Sequence, residues 1–363
     1  MQRNDKKKIC LVVSSLGQGG AQKVGALLSV MLDNLGHDVH IVSVLDIIDF
    51  NYKGTLFNLG ALKVSRFQRF LAFKNYLKKE RFDCIIDNRS RVQAVRDFIV
   101  IKLIYNIPTL YVVHNYKTNH AFSKYNWLNK WLYQNEMLVM VSKAAEEKFK
   151  SKFKLKHTET IYNPVDFEAL EQQASAVDDH EFKLDKYILF FGRLSEHHKN
   201  LKFLLQSYKN SILIENGYKL VLLGSGNDKE ELKEHVKTLG IQPNVEFISY
   251  IKNPLPYVKR AKFTVLTSNF EGFPMVLLES LALSTPVVSV NCKSGPSEIL
   301  VNNKNGLLVE QNNEEAFVNA MNSFILDKKL YLNCKENAKA SIQKFAIQAI
   351  AKKWEKAIFE LTN

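Results

Sequence analysis

The chain has 363 residues and a mass of 41.7 kDa, a length that fits two domains at about 150 residues each. Hydrophobic residues make up 46% and charged residues 24%, a globular composition that excludes a disordered or fibrous chain. No stretch approaches the roughly 18 apolar residues of a membrane span. The apolar run 9–13, behind Arg3, Lys6, Lys7 and Lys8, is shorter than the roughly 7–15 residues of a signal-peptide core. The expected compartment is the cytoplasm. Cys10, Cys84, Cys292 and Cys334 are scattered, without a CxxC pair or metal-ligand spacing, so neither disulfides nor structural zinc are expected.

Charge is unevenly divided. Residues 1–170 hold 26 Lys/Arg against 15 Asp/Glu, a net of +11, and residues 171–363 hold 24 against 22, a net of +2. Only nine of the fifty basic residues are Arg, as in a lysine-rich composition, but such a bias would affect both halves alike. The asymmetry points to an anionic ligand or surface for the first half.

In chain order, a short apolar strand at 8–14 runs into the turn Gly17-Gln-Gly19-Gly20. A helix follows from about Ala21, with Leu27, Leu28, Met31, Leu32 and Leu35 at helical spacing and Gly36 at its end. Further strands are predicted at 39–45, 84–87, 109–113 and 138–141, with helical patterns between them. The pattern breaks in the polar stretch 168–185 and restarts with strands at 187–191, 220–223, 245–248, 263–266 and 287–290. Residues 344–361 read as an amphipathic helix, with Phe345, Ile350, Trp354, Ile358 and Leu361 on one side. Strand, turn and helix repeating in this way indicate α/β architecture: two doubly wound parallel-sheet domains facing across a cleft. The boundaries read as 1–170 for the first domain, 171–186 for a linker, 187–343 for the second domain and 344–363 for a terminal helix.

Doubly wound sheets take ligands at the carboxyl ends of their strands. The Gly17-x-Gly19-Gly20 turn opens a helix whose free N–H groups and dipole suit a phosphate. A dinucleotide site needs G-x-G-x-x-G, and position 22 is Gln; Asp46 at the second strand end resembles a ribose-binding acid, and a tight turn without ligand also fits. After strand 187–191 come Gly192, Arg193 and Leu194, then Lys199 and Asn200 opening a helix. Arg and Lys so placed clamp a diphosphate, Arg as a fork and Lys as a point charge, although both also read as surface charge. After strand 263–266 come Glu271, Gly272, Phe273, Pro274 and, one to two turns inside a helix, Glu279. His114 ends strand 109–113, as a site residue or a hydrogen-bonded structural one. His197 and His198 read as solvated loop residues. No Asp-x-Asp occurs, so a metal-bridged diphosphate lacks its usual ligands and the basic pair must neutralise its charge.

Gly192-Arg193-Leu194 with Lys199, followed by Glu271-Gly272-Phe273-Pro274 and Glu279, resembles the signature of glycosyltransferase family 4, retaining sugar-nucleotide-dependent enzymes of the GT-B fold. Val141-Ser142-Lys143, Tyr162-Asn163-Pro164-Val165-Asp166 and Gly295-Pro296-Ser297-Glu298 resemble further family motifs. The resemblance is strong over 187–310 and weaker over 45–135, where such enzymes recognise acceptors, and it implies that the helix 344–363 crosses back to the first domain. It implies that Arg193 and Lys199 bind the donor diphosphate and stabilise the leaving group. It assigns Glu271 to the transferred sugar, with a catalytic role, and Glu279 to the ribose hydroxyls. Backbone at Gly272 and Phe273, beside Pro274, meets sugar and phosphates, Gly19 and Gly20 approach the diphosphate from the other domain, and His114 lies beside the sugar. Gln22-Lys23 replaces the family's common Glu-Arg, a departure that bears on acceptor contacts more than on donor binding.

The resulting expectation is a retaining α-glycosyltransferase. It moves a hexose or N-acetylhexosamine from a nucleotide diphosphate sugar, UDP-linked, to a hydroxyl of a lipid-linked cell-surface glycan such as lipopolysaccharide or capsule, with no cofactor and no metal. A UDP-sugar epimerase of the same fold and a nucleic-acid binder are the competing readings; the pair Glu271 and Glu279 argues against nucleic acid as partner. The basic first domain is expected to dock peripherally on the anionic inner face of the cell membrane. Residues 65–79 mix Phe67, Phe70, Leu71, Phe73 and Leu77 with Arg66, Arg69, Lys74, Lys78 and Lys79, either as an interfacial helix or as one whose aromatics face a sheet. Lys148, Lys150, Lys152, Lys154 and Lys156 form a second basic cluster.

Overall fold

The computed structural model describes residues 6–176 and 184–363. They form two compact units, Met1–Pro164 with Ile347–Asn363, and Val165–Ala346. The second unit starts inside the Tyr162–Asp166 motif, ahead of the expected 171–186 linker. The reason is local: Val165 bridges Ala346, and the helix Phe167–Ala174 that follows packs on the helices Leu255–Arg260 and Met275–Ala282 of the same unit. Residues 177–183 of that linker, and Arg3, lie outside the described residues.

The first unit is a seven-stranded sheet of β1 (Lys8–Val13), β2 (Asp38–Ser43), β3 (Thr55–Asn58), β4 (Cys84–Asp87), β5 (Thr109–Val113), β6 (Met137–Met140) and β7 (His157–Thr160). All neighbours are parallel, in the order β3-β2-β1-β4-β5-β6-β7. Ile9, Cys10, Leu11, Val12 and Val13 are fully buried, as a strand covered on both faces requires. The helix Gly20–Asn34 packs against β1 and β2. Ile347–Thr362 turns Ile350, Ala351, Trp354, Ala357 and Ile358 inward against Gly20–Asn34, β4 and β5. Phe345 precedes that helix, in a 3₁₀ turn of the second unit, and meets Phe273 edge-on with centroids 5.2 Å apart.

The second unit is a six-stranded parallel sheet of β8 (Tyr187–Phe191), β9 (Lys219–Leu223), β10 (Val245–Ile248), β11 (Thr264–Leu266), β12 (Val287–Val290) and β13 (Gly306–Val309). Its order is β10-β9-β8-β11-β12-β13. Both sheets are doubly wound, and strand order reverses between β1 and β4 in one and between β8 and β11 in the other. Loops after these four strands are where such sheets bind ligands. β3, β7 and β13, absent from the expected elements, all lie at or next to sheet edges.

Among the described residues, no helix is long and apolar enough to cross a membrane. The helix Arg66–Glu80 is opened by a capping box between Ser65 and Gln68 and divides its apolar residues. Phe73 and Leu77 are buried, while Phe67 is 70% exposed and Leu71 is also exposed. Neither single reading of that helix accounts for both sets. In the basic cluster, Lys148 is half-buried, donating to Tyr116 O at 2.7 Å; Lys150, Lys152, Lys154 and Lys156 are exposed.

Candidate active site

In the second unit, the chain leaves β8 through Gly192 and Arg193, forms the short helix Glu196–Lys199, and turns at Asn200 (φ 52°) into the helix Leu201–Lys209. Lys199 thus closes one helix rather than opening the next. The segment after β11 is tied to this one: Thr267 Oγ1 donates to Lys199 O at 2.8 Å, and Asn269 N and Nδ2 donate to His198 O and His197 O at 2.8 and 3.0 Å. These bonds register the two loops that flank the strand-order reversal.

The registration brings Lys199 to Glu271, Nζ donating to Oε1 at 2.6 Å, with both side chains about nine-tenths buried. Burial alone raises a carboxyl pKa, but Lys199, His198 and Ser268 overcome it and hold Glu271 below the ordinary value. Arg193 is exposed, and no described residue forms a hydrogen bond or ion pair with its guanidinium. The loop after β8 therefore carries both a compensated, buried cation and an uncompensated, accessible one. Glu279 is buried on Met275–Ala282, whose N-cap is Pro274.

The Gly272–Pro274 backbone is fixed from the side. Ser294 Oγ donates to Gly272 O at 2.9 Å. Gly295, at φ +99°, packs so closely that a Cβ there would lie 2.5 Å from Pro274 Cδ. The turn after β9 is equally tight, since a Cβ on Gly226 would meet Leu194 O at 1.9 Å.

His198 is not a solvated loop residue. Its ring stacks on Phe270 at 4.5 Å, its Nε2 is 2.9 Å from Phe270 O and 3.7 Å from Glu271 Oε1. Burial and the nearby Lys199 push its pKa down to about 4. His197 is exposed, as expected.

In the first unit, Gly19 (φ +125°) caps Gly20–Asn34 without a side-chain bond, which leaves the first-turn N–H groups uncovered by any cap oxygen. Asp46 is exposed and accepts from Asn58 Nδ2 at 2.7 Å. The residues after β4 are the ones sequence inspection missed. Asn88 Nδ2 donates to Ala21 O at 3.0 Å, so its Oδ1 faces His114 Nε2 at 2.7 Å. That orientation gives His114 its proton on Nε2 and leaves Nδ1 as an acceptor. Burial, with Arg91 adding to it, lowers the His114 pKa to about 3, so the ring is neutral. Gly25 lets the helix approach Asn88, where a Cβ would lie 3.1 Å from Nδ2. It supplies the close packing that Gln22 does not.

Arg89 and Arg91 are internal. Arg89 grips Asp87 with two bonds of 2.8 and 2.7 Å. Arg91 donates to the carbonyls of Arg89 and Val112 at 2.6 and 2.7 Å. Among the described residues, no three His, Cys, Asp or Glu side chains gather to hold a metal ion.

Two family models match the chain: Glycosyltransferase Family 4 over residues 18–169 and Glycosyl transferases group 1 over 173–341. The chain belongs to glycosyltransferase family 4. A Campylobacter jejuni N-acetylgalactosamine-N,N'-diacetylbacillosaminyl-diphospho-undecaprenol 4-alpha-N-acetylgalactosaminyltransferase is 29% identical to this glycosyltransferase over 95% of its chain and 98% of the relative. The amylovoran biosynthesis glycosyltransferase AmsD of Erwinia amylovora is 26% identical over 96% and 98%. Among solved structures, Anabaena HepE in complex with UDP and glucose gives a TM-score of 0.78 at 18% identity, over 98% of this chain and 100% of that one. A S. aureus TarM mutant in complex with fondaparinux, alpha-GlcNAc-glycerol and UDP gives 0.77 at 15%, over 98% and 100%. The fold is GT-B, and the chain's activity is glycosyl transfer.

Proposed function

We propose that this glycosyltransferase is a retaining, metal-independent α-transferase that moves a hexose or N-acetylhexosamine from a UDP-sugar to a hydroxyl of a lipid-linked glycan. It works at the anionic inner face of the cell membrane. The observation that carries the reading is the buried Lys199–Glu271 ion pair at the strand-order reversal of the second sheet, with Arg193 exposed on the same loop after β8. The lipid-linked acceptor is supported by full-length similarity to a transferase that acts on a diphospho-undecaprenol glycan, and UDP by its presence in similarly folded structures.

The chemical demand is negative charge growing on the departing diphosphate while the sugar carbon becomes oxocarbenium-like. Arg193 and Lys199 meet the first part as fixed cations, a device commonly worth about 10²–10³ in rate per donor group. Glu271 holds the transferred sugar, the backbone of Gly272 and Phe273 beside Pro274 lines it, and Glu279 binds the ribose hydroxyls. Gly19 and Gly20 offer N–H groups to phosphate oxygens, and neutral His114 accepts a sugar hydroxyl on Nδ1. The leaving phosphate takes the acceptor's proton on the face where the new bond forms, which needs no side-chain base. A sugar α-linked to UDP that ends α-linked to the acceptor is retention.

The test incubates the protein with individual nucleotide sugars and a synthetic polyprenyl-diphosphate glycan, with and without EDTA. Release of UDP and an α-linked product, unaffected by EDTA, is expected. A β-linked product, EDTA sensitivity, or conversion of the donor without acceptor would overturn the corresponding part of the reading, the last in favour of an epimerase.

A further inference from the structure

On the segments that follow β4 and β5, the first unit carries a groove of about 320 Å³ lined by Ala94, Val95, Phe98, Tyr125, Trp127 and Leu128. Two helices hold it, Ala94–Ile99 and Asn126–Tyr133. Its lining is apolar and open to solvent: Val95 is 75% exposed and Trp127 71%, with Trp131, 55% exposed, on the same helix as Trp127. Trp127 and Trp131 are four residues apart on one helix and so share a face. Trp131 stacks on Phe98 with centroids 5.9 Å apart. Such a cluster is costly in water, and its exposure marks a contact surface.

The charges around it identify the contact. Lys102 Nζ lies 5.3 Å from the Trp131 ring and 4.0 Å from Glu136 Oε1, Lys124 Nζ lies 5.3 Å from the Tyr125 ring, and Lys130, between the two tryptophans in sequence, is exposed. A protein partner buried against this patch would have to desolvate these ammonium groups. An anionic bilayer would not, because its phosphates meet the lysines at the depth where Trp and Tyr rings rest between headgroups and acyl chains. The first 170 residues carry the +11 charge that draws them there.

We propose that this groove is the bilayer contact, with Val95, Trp127 and Trp131 entering the interface and Lys102, Lys124 and Lys130 on the lipid phosphates. The proposal rests on the reading of a lipid-linked acceptor and assigns the docking surface to this groove rather than to Phe67 and Leu71 of Arg66–Glu80.

The chain has three Trp residues, and Trp354 is 3% exposed, so changes in emission report Trp127 and Trp131. The full chain is mixed with vesicles of phosphatidylcholine alone, or with phosphatidylglycerol added, some carrying bromine on the acyl chains. The anionic vesicles should shift the emission to the blue, the bromine should quench it, and salt should weaken the binding. Trp127→Ser should weaken vesicle binding roughly tenfold, as loss of one interfacial aromatic anchor implies. Lys124→Glu, which keeps the aromatic surface, should also weaken it, and Phe67→Ser should weaken it less than either. Vesicle binding unchanged in Trp127→Ser and Lys124→Glu would overturn the groove while leaving membrane docking standing. No binding by the wild type to any vesicle would overturn docking itself, and transfer to the synthetic acceptor would then show whether the catalytic reading survives. Dimerisation abolished by Trp127→Ser, without vesicle binding, would give the surface to a second copy of the chain.

Discussion

The Nζ of Lys199 and the Oε1 of Glu271, 72 residues apart in sequence, form a 2.6 Å ion pair in which both groups are almost withdrawn from water. Breaking a buried pair leaves one uncompensated charge, a loss of about 3–5 kcal/mol. Glu271→Gln should therefore lower both stability and turnover. Lys199→Met combined with Glu271→Gln should recover much of the stability and none of the turnover. Chemical denaturation with initial-rate measurements checks this; a stable Glu271→Gln protein would mean that the pair is solvated and weak.

Arg193 should behave oppositely. Exposed and unpaired among the described residues, it contributes little to the fold, so Arg193→Ala should stay within about 0.5 kcal/mol of wild type. Its turnover should nevertheless fall roughly 10²–10³-fold, by analogy with removal of one oxyanion donor. Near-normal turnover would remove Arg193 from the diphosphate site. Glu279→Gln, in contrast, should weaken UDP binding measured by titration more than it slows the bound donor.

Acid should destabilise this fold early. His114 and His198 titrate near 6.5 when unfolded but only at about 3 and about 4 in the folded chain, each because burial penalises the charged ring. Between pH 6.5 and those values the unfolded state binds more protons, so stability falls as pH falls, by up to about 1.4 kcal/mol per pH unit for each ring. The depressed carboxyls of Glu271 and Asp87 act in the same direction at lower pH. Asn88→Asp places a carboxylate beside His114 Nε2, raises its proton affinity and should flatten the dependence between pH 6.5 and 4. Thermal unfolding across that range measures it, and an unaltered slope would mean that Asn88 does not hold the ring.

Much of this was legible in the sequence because buried parallel strands are short unbroken apolar runs, and the strands on either side of each order reversal are of that kind. The edge strands were not. Thr55–Asn58 has only Leu56 and Phe57 between polar ends, and His157–Thr160 is polar throughout, which half-exposed positions tolerate. In the second unit Arg193, Lys199, Glu271 and Glu279 fall in two compact motifs. Asn88 belongs to no motif; only the pairing of β1 with β4 brings it to the glycine turn, and pairing cannot be read from a local window. Arg89 and Arg91 look like surface charge in sequence, yet part of the first half's basic excess is spent inside, against Asp87 and main-chain carbonyls. His198 was misplaced because its partner, Phe270, lies 72 residues away.

The excursion of the chain has a consequence for synthesis. Trp354 and Ile358 complete the core of a unit whose other residues are made first, and the whole of Val165–Ala346 emerges between them. The contiguous unit therefore has its whole sequence before Ile347–Thr362 is made, whereas the earlier unit waits for that helix, against the usual N-terminal-first order. A released chain ending at residue 346 should present a protease-sensitive first half and a resistant second. Any change that disturbs that helix would be felt at β4 and β5, the strands that lead into Asn88 and His114, far from it in sequence.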